Sequence, residues 1–253
     1  MQAKNTEQVM RHLEDIIAEA KRNCDRTGLF AALYRQVTLK INQGIESHLF
    51  EDNSRMERFA TKFANRYFQA LDDYQKHGKP TKSWKVALEA TTHPDYLVLQ
   101  HLLLGINAHI NLDLGIVAAQ INPDSKLPTF RQDYDTVNHI IGELLDGVQG
   151  IVGKFSPLLD ILDKLGGKTD EWLMTFSMTK ARQEAWNLAE LLAGQNFVVQ
   201  QGIIAMIDTK VAFLGKLLIN PSRTLNKAVD LIHETESDDI PAIIDALNSI
   251  VNS

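Results

Sequence analysis

The sequence predicts an all-α fold, and three observations carry that expectation. Apolar residues recur at steps of three and four along most segments, the spacing of a buried helical face. No strand-like alternation of useful length and no internal repeat interrupts that pattern. One stretch, DYLVLQHLLLGINAHINLDLGIVAAQ from Asp95 to Gln120, is more apolar than any other long segment, yet it contains His101, Asn107, His109, Asn111 and Asp113. A helix that is apolar on most sides is normally buried, and polar side chains carried inside with it need partners. The expected architecture is therefore about ten helices packed around a central buried helix near residues 95–120, in one domain spanning residues 1–253.

Each element follows from local chemistry. Thr6 is the expected cap of a first amphipathic helix, with the lone cysteine, Cys24, as a small residue at its end. Thr27 precedes a second helix running through GLFAALYRQVTLKINQGIESHLF, whose ladder Phe30, Leu33, Val37, Ile41, Ile45 places His48 on the apolar face. Ser54 and Glu57 have capping-box spacing and open a third helix, with Met56, Phe59, Phe63, Tyr67 and Leu71 turned inward. Trp84 lies on a short fourth helix, and Pro94 suits the first turn of the central one. INPDSKLP is turn chemistry and the one candidate domain boundary. The helix after it is two-sided, with Val137, Ile141, Leu144 and Val148 inward, Asp135, His139 and Glu143 outward, and Asn138 at the border. Ser156-Pro157 opens a short helix, Thr169 caps another that carries Trp172, Arg182 and Trp186, and NFVVQQGIIAMIDTKVAFLGKLLI reads as a further buried helix. Pro221 and Pro241 start two terminal helices, and no exposed apolar stripe is expected.

Composition narrows the function classes. A net charge of -6 and the lack of a Lys/Arg-rich run argue against a nucleic-acid surface. A single cysteine forms no internal disulfide. The start, MQAKNTEQVMRHLEDI, has no apolar core behind basic residues, so no signal peptide is expected. The polar residues inside the 95–120 stretch weigh against a lipid-facing transmembrane segment, and the cytoplasm is the default location. No P-loop, nucleophile elbow, dinucleotide glycine fingerprint or HExxH motif is present.

The string QHLLLGINAHINLDLG, with GLFAALYRQVT, FEDNSRMERFATKFANRYFQAL, RQDYDTVNHI and FSMTKARQEAW, closely resembles an uncharacterised bacterial family, a domain of unknown function. The resemblance covers most of the chain and implies a helical fold without an established activity. The positions it singles out are Asp52, Tyr67, Trp84, His101, Asn107, His109, Asn111, Asp113, Asn138, Arg182 and Trp186.

Three readings of the polar residues follow. In the first, a divalent metal such as zinc is bound and serves hydrolysis. His-x3-Asp sets an imidazole beside a carboxylate on one helical face, and the spacing occurs at His48/Asp52, His109/Asp113 and, with glutamate, His139/Glu143. His109 and Asp113 are then the central ligands, with His101, His48 and Asp52 as contributors, whereas His139/Glu143 reads as a solvated pair. In the second, a small molecule or lipid is bound without catalysis. Arg182 is the anion contact there, and Asn107, Asn111, Tyr67, Trp186 and Asn138 are further contacts. In the third, the same groups form a structural hydrogen-bond network, with Arg182 neutralising Asp113 or Asp52 and the asparagines bridging helices.

Overall fold

The computed structural model describes residues 2–159, 178–220 and 223–250, except for the side chains at 124–125, 145–146 and 223–226. Its helices are α1 (Thr6–Asn23), α2 (Thr27–Glu46), α3 (Asn53–Gln75), α4 (Lys82–Ala90), α5 (Val98–Ala108) and α6 (Gly115–Ile121). They continue as α7 (Arg131–Phe155), α8 (Met178–Ala193), α9 (Phe197–Ile219), α10 (Arg223–His233) and α11 (Ile240–Leu247). A π-helical turn, His109–Leu114, joins α5 to α6, and a 3-10 stretch, Asp124–Phe130, occupies the INPDSKLP break. No strand occurs among the described residues, so the all-α expectation holds. The start of the helix expected from Thr169, with Trp172, the end of the short helix expected from Ser156-Pro157, and Pro221 lie outside the described residues, and the later part of the Thr169 helix is α8.

Helix ends depart from the sequence reading by a residue or a turn, each for a local reason. Asn5 rather than Thr6 caps α1, accepting from the Gln8 amide at 2.9 Å. Asp52 rather than Ser54 caps α3, accepting from the Arg55 amide at 2.8 Å. Cys24 adopts a left-handed conformation at the end of α1, the helix-end role expected of it. The largest correction concerns α2, which stops at Glu46. His48 follows at φ 57°, exposed, and its Nδ1 lies 3.0 Å from Asn53 Nδ2. Once the helix has ended, His48 no longer shares the angular position of Phe30.

The central rod begins at Val98, later than Pro94 suggests, because its first amides are met by side chains. Gln100 Oε1 accepts from the Leu97 amide and Glu236 Oε2 from the Val98 amide, both at 2.9 Å. α2, α4 and α9 pack along α5, and α3 and α8 pack along the π-turn and α6. The run Val98–Ile121 is long and apolar enough to cross a membrane by length and composition, but most of it is buried inside the protein. Two glycines permit that enclosure. A Cβ on Gly105 would sit 2.4 Å from the Phe30 ring, and one on Gly115 would sit 2.5 Å from the Ala185 carbonyl oxygen.

α9 is only half buried, contrary to the sequence reading. Phe197, Val198, Met206 and Phe213 are 73%, 77%, 61% and 60% exposed. One side of the helix packs on α4 and α5 through Val211, Ala212, Gly215 and Leu218. The apolar residues on its other side form the exposed stripe that the sequence does not announce.

The backbone contact at Gly115 makes a direct prediction. Gly115→Ala should destabilise the protein by about 1–3 kcal/mol in urea unfolding, because a main-chain oxygen cannot rotate away. Gly142→Ala, on the open face of α7 with nothing within 4 Å, should instead add about 0.5–1 kcal/mol.

Candidate functional site

Asp113 is fully buried on the π-turn, and both of its oxygens are engaged. Arg66 Nε donates to Oδ1 at 2.8 Å, and Trp84 Nε1 donates to Oδ2 at 2.7 Å. His109 Nδ1 lies 3.2 Å from Oδ2. These donors come from α3, α4 and the turn itself, so one carboxylate fastens three elements. Burial alone would raise the Asp113 pKa. The Arg66 charge, followed by the His109 and Trp84 hydrogen bonds, outweighs it and holds the carboxyl below its ordinary value. Burial lowers the His109 pKa despite the adjacent carboxylate, so the ring is neutral at pH 7. A neutral ring beside an ionised Asp113 donates from Nδ1, which leaves the Nε2 lone pair as the free acceptor. His109 Nε2 is buried without a partner.

Aromatic rings fix that imidazole. Phe63 stacks on it at 3.6 Å between centroids and 8°, Tyr34 meets it edge-on at 4.7 Å, and Phe30 and Trp84 close the surround at 5.9 and 5.7 Å. Two small cavities with almost wholly apolar walls adjoin these rings. One, of about 60 Å³, has His109, Phe30 and Leu144 in its wall. The other, of about 40 Å³, reaches Asn138, Tyr134 and Arg182. Tyr34, Val37, Phe63, Ile110 and Ile141 line both, so the two are neighbouring parts of one cleft between α2, α3, the π-turn and α7.

The residues expected at the site divide among several places. His109 and Asp113 are together, and Arg182 and Asn138 line the second cavity. His101 is buried elsewhere on α5 with both ring nitrogens unpartnered, and burial pushes its pKa down to about 3. His48 and the cap Asp52 are exposed at the α2–α3 junction. Among the described residues no three His, Cys, Asp or Glu side chains gather closely enough to hold one ion, so the five expected metal ligands are not assembled. Asn107 Nδ2 donates to the Val211 carbonyl of α9 at 2.9 Å, and Asn111 donates to Asn107 Oδ1 at 2.9 Å, the helix bridge that the structural reading expects. Tyr67 packs on Trp84 and Phe30, and Trp186 donates to Glu190 and packs on Tyr134. His139 and Glu143 form the exposed pair expected of them, at 3.7 Å.

Arg182 does not neutralise Asp113 or Asp52, because Arg66 holds Asp113 and Asp52 caps a helix. Sequence reasoning missed Arg66. It lies seven residues after Phe59, on the buried stripe of α3, and a guanidinium there calls for an acid across the interface.

Two outcomes follow for solution experiments. Asp113→Asn should cost about 1.5–3 kcal/mol in chemical unfolding, because it removes the charge that the Arg66, Trp84 and His109 hydrogen bonds are made to. The buried histidines set an acid limb. Their folded pKa values lie below the unfolded value of about 6.5, so the unfolded chain takes up protons that the folded chain refuses. Stability should therefore fall as pH drops from about 6.5, with His101 contributing down to about pH 3. His101→Leu should flatten this limb by up to about 1.4 kcal/mol per pH unit in urea unfolding from pH 7 to pH 4.

No curated protein and no solved structure matches this chain. A family model does match, over residues 6–221, and carries the description "Family of unknown function (DUF5995)". With α1 to α9 and the polar cluster inside the matched span, the chain belongs to that family of unknown function.

Proposed function

We propose that this protein binds a small, mainly apolar molecule without transforming it, in the cleft between α2, α3, the π-turn and α7. The observation behind this reading is the pair of adjoining cavities, with five shared wall residues, beside an imidazole whose Nε2 is unpartnered. An apolar cavity forfeits dispersion contacts along its whole lining, and an apolar occupant restores them. An apolar cavity of about 150 Å³ stays dry and accepts benzene. The two spaces here are smaller, so the occupant is a compact molecule for which the shared side chains shift slightly. Asp113 contributes indirectly, holding His109 in one tautomer so that Nε2 can accept a hydrogen bond from a ligand hydroxyl or amide. The reading takes the chain as a single folding unit working in the cytoplasm.

Metal-assisted hydrolysis is the second reading, and one observation favours it. A carboxylate behind one imidazole nitrogen, with the other nitrogen free, is the arrangement that orients histidine ligands of metal ions. Here Nε2 of His109 would be the ligand, Asp113 would stand behind it, and a bound water would be the nucleophile.

Benzene-saturated buffer tests the binding reading. It should raise the Tm of the wild-type protein, and Ile141→Phe, which fills both cavities, should abolish that rise while retaining the helical circular dichroism signal. No rise in the wild type, or an equal rise in the filled variant, overturns it. Elemental analysis decides the second reading: stoichiometric metal, lost in His109→Ala, would favour hydrolysis over binding.

A further inference from the structure

We infer that the ligand of this cleft is a small monocarboxylic acid, with its carboxylate on Arg182 and its short apolar tail running between Tyr34 and Phe63 towards His109. This rests on the binding reading above and adds the charge and polarity of the ligand. It begins from a comparison of the buried charges. Asp113 is matched by Arg66, and Asp133 by Arg55 at 2.9 Å. Asp208 accepts from the amides of Lys82 and Ser83 and from Ser83 Oγ. Arg182 is the exception among the described residues. It is 7% exposed, its Nη1 is buried without a partner, and no carboxylate pairs with it.

An arginine cannot discharge itself by losing its proton, so it stays a cation in an apolar wall. Among the described residues its titratable neighbour is Tyr134, whose phenol burial keeps neutral. The residue is not loosely held, because the Tyr134 hydroxyl donates to the Arg182 carbonyl at 2.6 Å. A buried cation with no counter-charge is costly, and an entering anion relieves that cost. The guanidinium fork matches a carboxylate in particular, through two parallel hydrogen bonds.

Among the described residues the walls offer no second cation. Thr38 already donates to the Tyr34 carbonyl and Asn138 Nδ2 to Asp135 Oδ1, while the Tyr134 hydroxyl is spent on Arg182 itself. Among the described wall residues a phosphate would meet that one cation, whereas the single charge of a carboxylate is matched by the guanidinium alone. Beyond Arg182 the shared walls are Tyr34, Val37, Phe63, Ile110 and Ile141, which suit a hydrocarbon tail. The cavity volumes make that tail a short one.

Calorimetric titration of the full chain with sodium hexanoate and, separately, with 1-hexanol tests this. The two probes share a tail and differ in the charge of the head. Wild-type protein should bind hexanoate at least about tenfold more tightly than hexanol. Arg182→Met should lose that preference and keep hexanol binding, and Arg182→Lys should fall between the two. If Arg182→Met does not fold, Arg182→Lys decides: a several-fold weaker hexanoate affinity with unchanged hexanol affinity supports the assignment, and an unchanged hexanoate affinity overturns it. Hexanol and benzene binding without hexanoate binding overturns the acid and leaves the apolar pocket standing. Binding of none of the three overturns both.

Discussion

One negative charge in the middle of the molecule constrains the arrangement around it. A carboxylate at 0% exposure is tolerated only when its lone pairs are filled, and Asp113 fills them from α3, α4 and its own turn. That requirement explains why Arg66 crosses from α3, why the Trp84 indole points inward rather than serving as a surface anchor, and why His109 is held in a single tautomer. The charge acts less as a source of net stability than as a locator, since each donor has one position from which it can reach.

The cleft beside this hub has a polarity of its own. At one end stands the His109 imidazole and at the other the Arg182 guanidinium, each with a buried nitrogen that lacks a partner, with Tyr34, Phe63 and aliphatic side chains between them. The two polar groups belong to the π-turn and to α8, elements in direct contact, so their spacing is set by rigid helices rather than by loops. Imidazole, apolar wall and guanidinium follow one another in that order along the cleft.

Much of this was legible in the sequence. The angular ladders identified the buried helix, the inward faces of α3 and α7, the His109–Asp113 pair and the asparagine bridge, because all of these depend on helical period alone. What escaped depended on partners distant in the chain. The pairing of Asp113 with Arg66 rather than Arg182 is decided by which helix lies alongside the turn, and single-helix periodicity is silent on that. His48 was misplaced because a ladder extrapolates past the end of a helix, and α2 closes at Glu46. α9 was read as buried because its composition is apolar all round, while burial was decided by what packs on it. The π-turn has no sequence signature here at all.

That turn has a consequence for how the chain can vary. A π-turn accommodates one residue more than an α-helix of the same rise, and here it falls between Gly105, pressed on Phe30, and Gly115, pressed on the Ala185 carbonyl. Removing a single residue from 109–114 would return the segment to ordinary α-helical geometry with the flanking turns still in register. Removing one from an α-helical part of the rod has no such outlet and would swing everything after it by about 100°, turning a side chain onto the carbonyl that now faces bare Gly115. The rod can therefore be shortened by one residue at the π-turn more readily than elsewhere, because the extra residue stored there leaves both glycine contacts as they are.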